Sequence, residues 1–526
     1  MPTYENPLVN ALLTDLYELT MMAAYYRTKQ HRQRVAFEYF YREAPFHGQY
    51  AVHVGLHALV DYLLKLRFED QHIAYLRSLR TFDEDFLAHL RDLRFRGSLE
   101  AVHEGEVLLP NIYGLRITAA LEEAQFIESA LLNLVNFPTL IATKASHVKF
   151  NAEEKQVLEF GLRRAQGPDG ALTASRAAFI GGADASSNVA AGYLFGIPVS
   201  GTHAHSFVMF FPDELSAFDH YAEIFPNSAL FLVDTYDIHE GLVNAIRVAQ
   251  VMAKMGHVAR GVRIDSGDLV YWSTVAHVMF EAAGLHNLKI VLSNELDERR
   301  IALIHNEIRR SVRDEGYRRE ISHMVGFDVP SFSAEAVIDR LIFGVGTELV
   351  TGGKESSLGG VYKLVAVQED HARLSQDGTE WQPRIKISAQ PLKVTNPGLK
   401  RVYRLLRNGF IIADIIALPD EVITPGIRFV GINPANPIQQ KVYENFDSVE
   451  SLHVPIIEDG KLIYDLPDLK TVKAFADRRL KTIRLESRRL ENPHTLKVSL
   501  TQRYWQYKQE ILEQARPNRQ SHSVHP

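Results

Sequence analysis

The stretch "IPVSGTHAHSFVMFF" (Ile197–Phe211) carries two histidines one residue apart, His203 and His205, directly after an apolar run that ends in Gly-Thr. On an extended strand, residues two apart point to the same face, so the two rings would share one small volume. That placement suits three kinds of chemistry. Two imidazoles can ligate a metal, as in a metal-dependent barrel hydrolase. One neutral imidazole near its ordinary pKa can instead accept a phosphoryl group, with the other ring as a neighbour. Or both rings are satisfied by hydrogen bonds in a strand-end turn. A hydrolase centre needs further histidines at later strand ends; the later motifs offer carboxylates and an arginine, which weakens the metal reading.

Those later motifs have chemistry of their own. "GVRIDSGDL" (Gly261–Leu269) sets Arg263 and Asp265 on one face of a strand, with Asp268 just past a turn glycine. A guanidinium is a planar fork for carboxylate or phosphate, and the acids can orient it or hold a divalent cation. "FLVDTYD" (Phe231–Asp237) ends a strand on two carboxylates. Asp234 is placed to orient an imidazole, whereas Asp237 reads as a helix N-cap. "FGVGTELVTGGKESSLGGVYKL" (Phe343–Leu364) is a strand followed by a glycine-rich loop, whose backbone N–H groups can approach an oxyanion closely. It is not a Walker loop, because Gly353-Lys354 is followed by Glu355. Tyr17 and Phe160 lie beside the polar motifs "TDLYE" and "EFGLRRA", where an aromatic face could stack on a flat heterocycle.

The elements that must position these residues follow from hydrophobic rhythm. Helical spacing predicts a helix over Leu12–Tyr26, then antiparallel strands, then a long helix over Glu122–Phe150. From Phe160 to about Val367, short apolar strands alternate with helices. The strand candidates are "EFGLRRA", "IPVSGT", "ALFLVDTYD", "GVRIDSGD", "KIVLSNELDE", "MVGFDV", "LIFGVGT" and "GVYKLVAV". Such alternation predicts a parallel sheet, and the number of units favours an irregular TIM-like α/β barrel with its polar residues at the C-terminal strand ends. Three segments result: 1–125, an N-terminal helix and β-sheet domain; 126–366, the catalytic barrel; and 367–526, strands and helices packing back on the first, with a disordered tail from about 516. The second domain is thus smaller, mostly β, and built from both ends of the chain.

Composition sets outer limits. The chain has 526 residues, a net charge of −6, 46% hydrophobic residues and no cysteine. Disulfides, thiolate metal sites and thiol nucleophiles are excluded, and bulk electrostatic coating of nucleic acid or anionic membrane is disfavoured. The first residues lack a signal-peptide pattern and no apolar window reaches membrane-spanning length, so a cytoplasmic protein is expected.

Taken in order, "TDLYELTM", "NFPTLIATKA", "EFGLRRAQGPDGALTASRAAFIGGADASSNVAAG", "IPVSGTHAHSFV", "LVDTYD", "VRIDSGDL", "VLSNELDE" and "FGVGTELVTGG…SSLGGVYKL" resemble the nicotinate phosphoribosyltransferase family. The resemblance implies transfer of a phosphoribosyl group from phosphoribosyl pyrophosphate to nicotinate in NAD salvage, by a homodimer with shared active sites. It also implies ATP as co-substrate, Mg²⁺, and transient phosphorylation of the second histidine, His205, oriented by Asp234. His203 receives no role. Tyr17, contributed across the dimer, and Phe160 would sandwich the pyridine ring, and Thr202 and Arg263 would contact nicotinate. Arg163 and Asp265 would line the same pocket and the ribose; Gly346, Thr347, Gly352 and Gly353 would hold the 5′-phosphate. Magnesium ligands are left unassigned. Residues 301–340 exceed the usual length before "GVGT", and Asp184 lies where nicotinamide-using relatives place an acid. Nicotinamide phosphoribosyltransferase is therefore the alternative within the family. A metal-dependent hydrolase using His203 and His205, and a non-catalytic barrel that binds a nucleotide, are the alternatives outside it.

Overall fold

A computed structural model describes residues 6–7, 9–368, 381–388 and 394–515; the tail from about 516 lies outside them. The chain divides into two compact units, one spanning Lys144–Ser356 and the other combining the chain before it with Ser357 onward. The division therefore falls at 143/144 and 356/357 rather than at 125/126 and 366/367, and the unit built from both chain ends is the larger one. The long helix Glu128–Asn151 explains the first shift. Up to Thr143 it belongs with the other unit: Asn136 accepts from the Tyr39 hydroxyl at 2.9 Å, and the Thr139 and Thr143 hydroxyls accept from the amides of Val54 and Val52.

The Lys144–Ser356 unit is a six-stranded parallel sheet with helices between its strands. In spatial order the strands are Ala185–Ser186, Gln156–Glu159, Leu341–Val345, Lys289–Leu292, Gly261–Ile264 and Leu230–Leu232. They are short and almost continuously apolar, as parallel strands covered on both faces must be. Three of the βα turns end in a capping acid. Asp237, Asp268 and Asp297 accept from the first-turn amides of Ile238–Lys254, Leu269–Ala282 and Glu298–Ser311.

Three expected strands are placed differently. "IPVSGT" makes a single parallel bridge, Ser186 to Val199, because Pro198 has no N–H to donate and the run breaks at Gly201. "MVGFDV" begins as the end of the Glu315–Val325 helix, closed by Gly326 at φ 79°. "GVYKLVAV" is a strand, Gly360–Gln368, but pairs antiparallel with Arg34–Tyr41 in the other unit. The short strand Ala185–Ser186 carried no sequence signal. The result is a mixed α/β chain with a parallel-sheet half-barrel and a separate mostly-β unit.

That second unit holds three sheets among its described residues, the smallest being the two-stranded pair Ala51–Val52 with Val107–Leu108. A seven-stranded sheet is centred on Arg34–Tyr41 and Leu115–Ala120, and a six-stranded sheet on Lys497–Thr501 and Phe410–Ala417. A large apolar core including Phe37, Tyr62, Phe86, Phe126 and Tyr362 supports the first. The leading helix runs Leu16–Arg27, four residues later than its apolar spacing suggests, because the Leu12 amide is taken by the Asn10 side chain in a turn. No helix among the described residues is long and apolar enough to cross a membrane.

Candidate active site

His205 opens the helix His205–Phe210 and presents a partly exposed ring. Its Nε2 lies 3.1 Å from Oδ1 of Asp234, whose side chain is fully buried. The other Asp234 oxygen accepts from the Asp265 amide at 3.1 Å and the Ser266 hydroxyl at 2.6 Å. With its carboxylate fixed on three sides, Asp234 holds the proton of His205 on Nε2 and leaves the Nδ1 lone pair available. Asp237 caps the next helix, as its position suggested.

His203 is not a second ring on the same face. It is buried, and its Nε2 accepts from the Leu232 amide at 3.2 Å. Phe207, Phe218 and Tyr221 surround it, and burial pushes its pKa down to about 4. A neutral ring committed to a backbone amide inside an aromatic cage is unsuited to share an ion with His205, which removes the hydrolase reading. The Ile197–His203 segment thereby touches both sheet edges, Ser186 through Val199 and Leu232 through the His203 ring.

Arg263 donates from Nε to the Ser293 hydroxyl at 2.9 Å and pairs with Asp265 at 3.0 Å. Ser293 in turn donates to the same Asp265 oxygen. The guanidinium is thus held at a fixed angle, 5.7 Å from the centre of the Phe160 ring. Phe160 lies against Gly344, where any Cβ would come within 2.7 Å of the ring. The glycine is therefore a steric requirement that lets the ring lie against the strand backbone. His205, Asp234, Asp265, Ser293 and Arg263 form one connected set, with Phe160 beside it.

Beneath Phe160 is a residue whose importance the sequence did not signal. Glu159 is fully buried and accepts from the Gly161 amide and from the hydroxyls of Ser175, at 2.8 Å, and Ser186. It fixes the turn that carries Phe160 and Arg163. Glu159→Gln must turn an N–H₂ toward one of these donors. The expected cost is about 2 kcal/mol, read as a lower denaturation midpoint together with a raised KM for the ring substrate.

Other expected residues are placed as follows. Arg163 is exposed in the Leu162–Arg164 turn, and the Thr202 hydroxyl donates to the His203 carbonyl at 3.0 Å. Gly346 and Thr347 follow the Leu341–Val345 strand directly. Gly352 and Gly353 have φ of 74° and 60°, a conformation that L side chains resist. A Cβ on Gly353 would meet Glu348 and come within 3.5 Å of the Lys144 ammonium. Lys144, unassigned from sequence, pairs with Glu298 at 2.7 Å and so brings a buried cation to this loop. Tyr17 belongs to the other unit and is 48% exposed. Asp184 is tied to Lys149 and to the Val157 amide, both at 2.8 Å, at the amino-terminal end of the sheet, opposite Phe160.

Family models match in three successive parts: the nicotinate phosphoribosyltransferase N-terminal domain over residues 12–136, the nicotinate phosphoribosyltransferase (NAPRTase) family over 155–410, and its C-terminal domain over 399–508. The chain is 38% identical over 509 residues to the nicotinate phosphoribosyltransferase of Bacillus subtilis, covering 96% of each. The chain belongs to the nicotinate phosphoribosyltransferase family. The human nicotinate phosphoribosyltransferase is 34% identical over 551 residues, covering 94% of this chain and 95% of the relative. A crystal structure of human nicotinic acid phosphoribosyltransferase aligns with a TM-score of 0.76 at 32% identity, covering 95% of this chain and 100% of that one. Within this nicotinate phosphoribosyltransferase-family chain the long 301–340 segment is folded as helices, Glu298–Ser311, Glu315–Val325 and Ala334–Ile338. The following strand keeps parallel register, Ile290 opposite Leu341.

Proposed function

We propose that this chain joins nicotinate to phosphoribosyl pyrophosphate, giving nicotinate mononucleotide and pyrophosphate, and couples the transfer to ATP through a phosphohistidine at His205. The supporting observation is the unbroken set of contacts from His205 through Asp234 and Asp265 to Arg263, beside Phe160. In the transfer, the pyridine nitrogen lone pair forms a bond to ribose C1, and the C1–O bond breaks with its electrons leaving on pyrophosphate. The attacking nitrogen has no proton to lose. The step therefore depends on a fixed ring and a gripped leaving group more than on acid–base groups.

Phe160 offers the ring a flat face, Arg263 and Thr202 meet the carboxylate, and Arg163 and Asp265 line the pocket toward the ribose. Gly346, Thr347, Gly352 and Gly353 receive the 5′-phosphate on backbone N–H groups. In the ATP step Nδ1 of His205 attacks the γ-phosphorus, the N–P bond forms, and ADP departs with the electrons of the broken P–O bond. Asp234 then balances the cationic ring. Asp265 and Asp268 are hard oxygen donors of the kind Mg²⁺ takes, and Mg²⁺ when bound supplies charge neutralisation on the diphosphate.

The sheet is proposed to close as an irregular barrel through the Ile197–His203 segment, since that segment bonds to both edges. A homodimer is proposed because the elements carrying His205 and Asp234 expose Phe210 at 82%, Met209 at 64% and Tyr236 at 65%. A second copy would cover them and contribute Tyr17. The chain's freedom from cysteine suits the cytoplasm. Nicotinate is preferred over nicotinamide because Asp184, the acid an amide substrate would need, is held at the opposite end of the sheet. Offering nicotinate, nicotinamide and quinolinate side by side with phosphoribosyl pyrophosphate and ATP is expected to yield nicotinate mononucleotide and ADP. Turnover of nicotinamide in preference to nicotinate, or of neither, would overturn the proposal.

A further inference from the structure

His31, His89 and Glu122 have no part in the reaction above and come from three separate places in the chain. His31 lies in the turn after the Leu16–Arg27 helix, His89 near the end of Glu84–Arg91, and Glu122 in the first turn of Leu121–Phe126. One ligand-type atom of each lies within 4.8 Å of the other two. His89 Nε2 stands 2.6 Å from a Glu122 oxygen, and Nδ1 of His31 is buried with no hydrogen-bond partner among the described residues. The backbone enforces the grouping. The Glu122 amide donates to the His31 carbonyl at 3.1 Å and the Leu121 amide to the Gln33 carbonyl at 2.8 Å. Tyr26 walls one side, stacked on His89 at 4.6 Å between ring centres and 5.2 Å from His31.

We propose that His31, His89 and Glu122 form a binding site for a divalent transition-metal ion, zinc by preference, that ties these three elements together. Two imidazole nitrogens and one carboxylate oxygen are a borderline donor set that suits zinc and its first-row neighbours, whereas Mg²⁺ and Ca²⁺ take oxygen alone. Bonds of about 2.0–2.1 Å place tetrahedral ligand atoms roughly 3.4 Å apart. Starting from 2.6 Å, the His89–Glu122 pair must open by about 0.8 Å, and His31, within 4.8 Å of both, must close by at most about 1.4 Å, movements available to side-chain torsions. Three protein ligands leave a fourth position for water. The ion also gives the buried His31 nitrogen an electrostatic partner, which a simple His89–Glu122 hydrogen bond does not.

The test is titration of chelator-stripped full-length protein with zinc chloride, by calorimetry and by thermal melting. The wild type is expected to bind one equivalent per chain at this site, and its Tm is expected to rise by about 5 °C when zinc is in hundredfold excess over Kd. His31→Ala and His89→Ala should each bind at least about 10²-fold more weakly and lose the Tm shift, while His205→Ala keeps both. Cobalt(II) should give the visible absorption of a four-coordinate ion in the wild type and not in His31→Ala. Phosphoribosyl transfer by His31→Ala serves as the folding control; if His89→Ala does not fold, His31→Ala and Glu122→Gln decide. Absence of a saturable equivalent, or an equivalent that survives both His31→Ala and Glu122→Gln, overturns the assignment.

Discussion

Arg263→Ala is expected to lower kcat/KM for nicotinate by about 10²–10³-fold while changing that for nicotinamide by less than about tenfold. The guanidinium is set by Ser293 and Asp265 beside the Phe160 ring. Two charge-assisted bonds to a carboxylate, each contributing about 1.5–3 kcal/mol, account for a loss of this size. An amide lacks the charge and the paired oxygens, so it forfeits much less when the fork is removed. Arg263→Lys keeps a charge but not the planar fork or the Nε bond to Ser293, and should recover no more than about tenfold of the loss. Steady-state kinetics with both substrates read this directly. Equal losses would mean that Arg263 holds the pocket together without reading the carboxylate.

His205→Ala should carry no acid-labile phosphate after incubation with γ-labelled ATP, and its ATP-stimulated turnover should fall at least about 10²-fold. Transfer without ATP should persist, because ring and sugar contacts do not involve this imidazole. Asp234→Asn is the companion variant. Its side chain keeps the shape of the carboxylate but must serve three donors, His205 Nε2, the Asp265 amide and the Ser266 hydroxyl, with one carbonyl oxygen. Labelling should slow by about 10–10²-fold while some label remains. Full labelling of His205→Ala would remove the imidazole from the reaction.

The residues of the site were readable where chemistry and position coincide locally. Arg263, Asp265 and Asp234 each stand at or just past the end of an apolar run, and strand ends of a parallel sheet converge on one edge. His203 does not share a face with His205, because alternation by two holds only while the chain stays extended. Pro198 and Gly201 interrupt it, so His205 starts a helix while His203 turns inward to take an amide from Leu232. Glu159, Ser293 and Lys144 gave no signal, since their importance comes from partners in distant segments: Ser175 and Ser186, Asp265, and Glu298. "GVYKLVAV" reads correctly as a strand, but its place is in an antiparallel sheet of the other unit and not in the parallel sheet. Strand character is local, whereas the choice of partner depends on the whole chain. "MVGFDV" shows the ambiguity of short apolar runs, which suit a helix end as well as a strand.

The pairing of Arg34–Tyr41 with Gly360–Gln368 bears on how the polypeptide is born. One edge of the early strand finds Leu115–Ala120 soon after synthesis, but the other waits for more than three hundred further residues to leave the ribosome. At about 5–20 residues per second that interval lasts roughly 15–60 s. Throughout it an apolar strand edge stands open to unrelated chains, so nascent chains of this protein should depend on chaperone cover more than the stability of the finished fold would suggest.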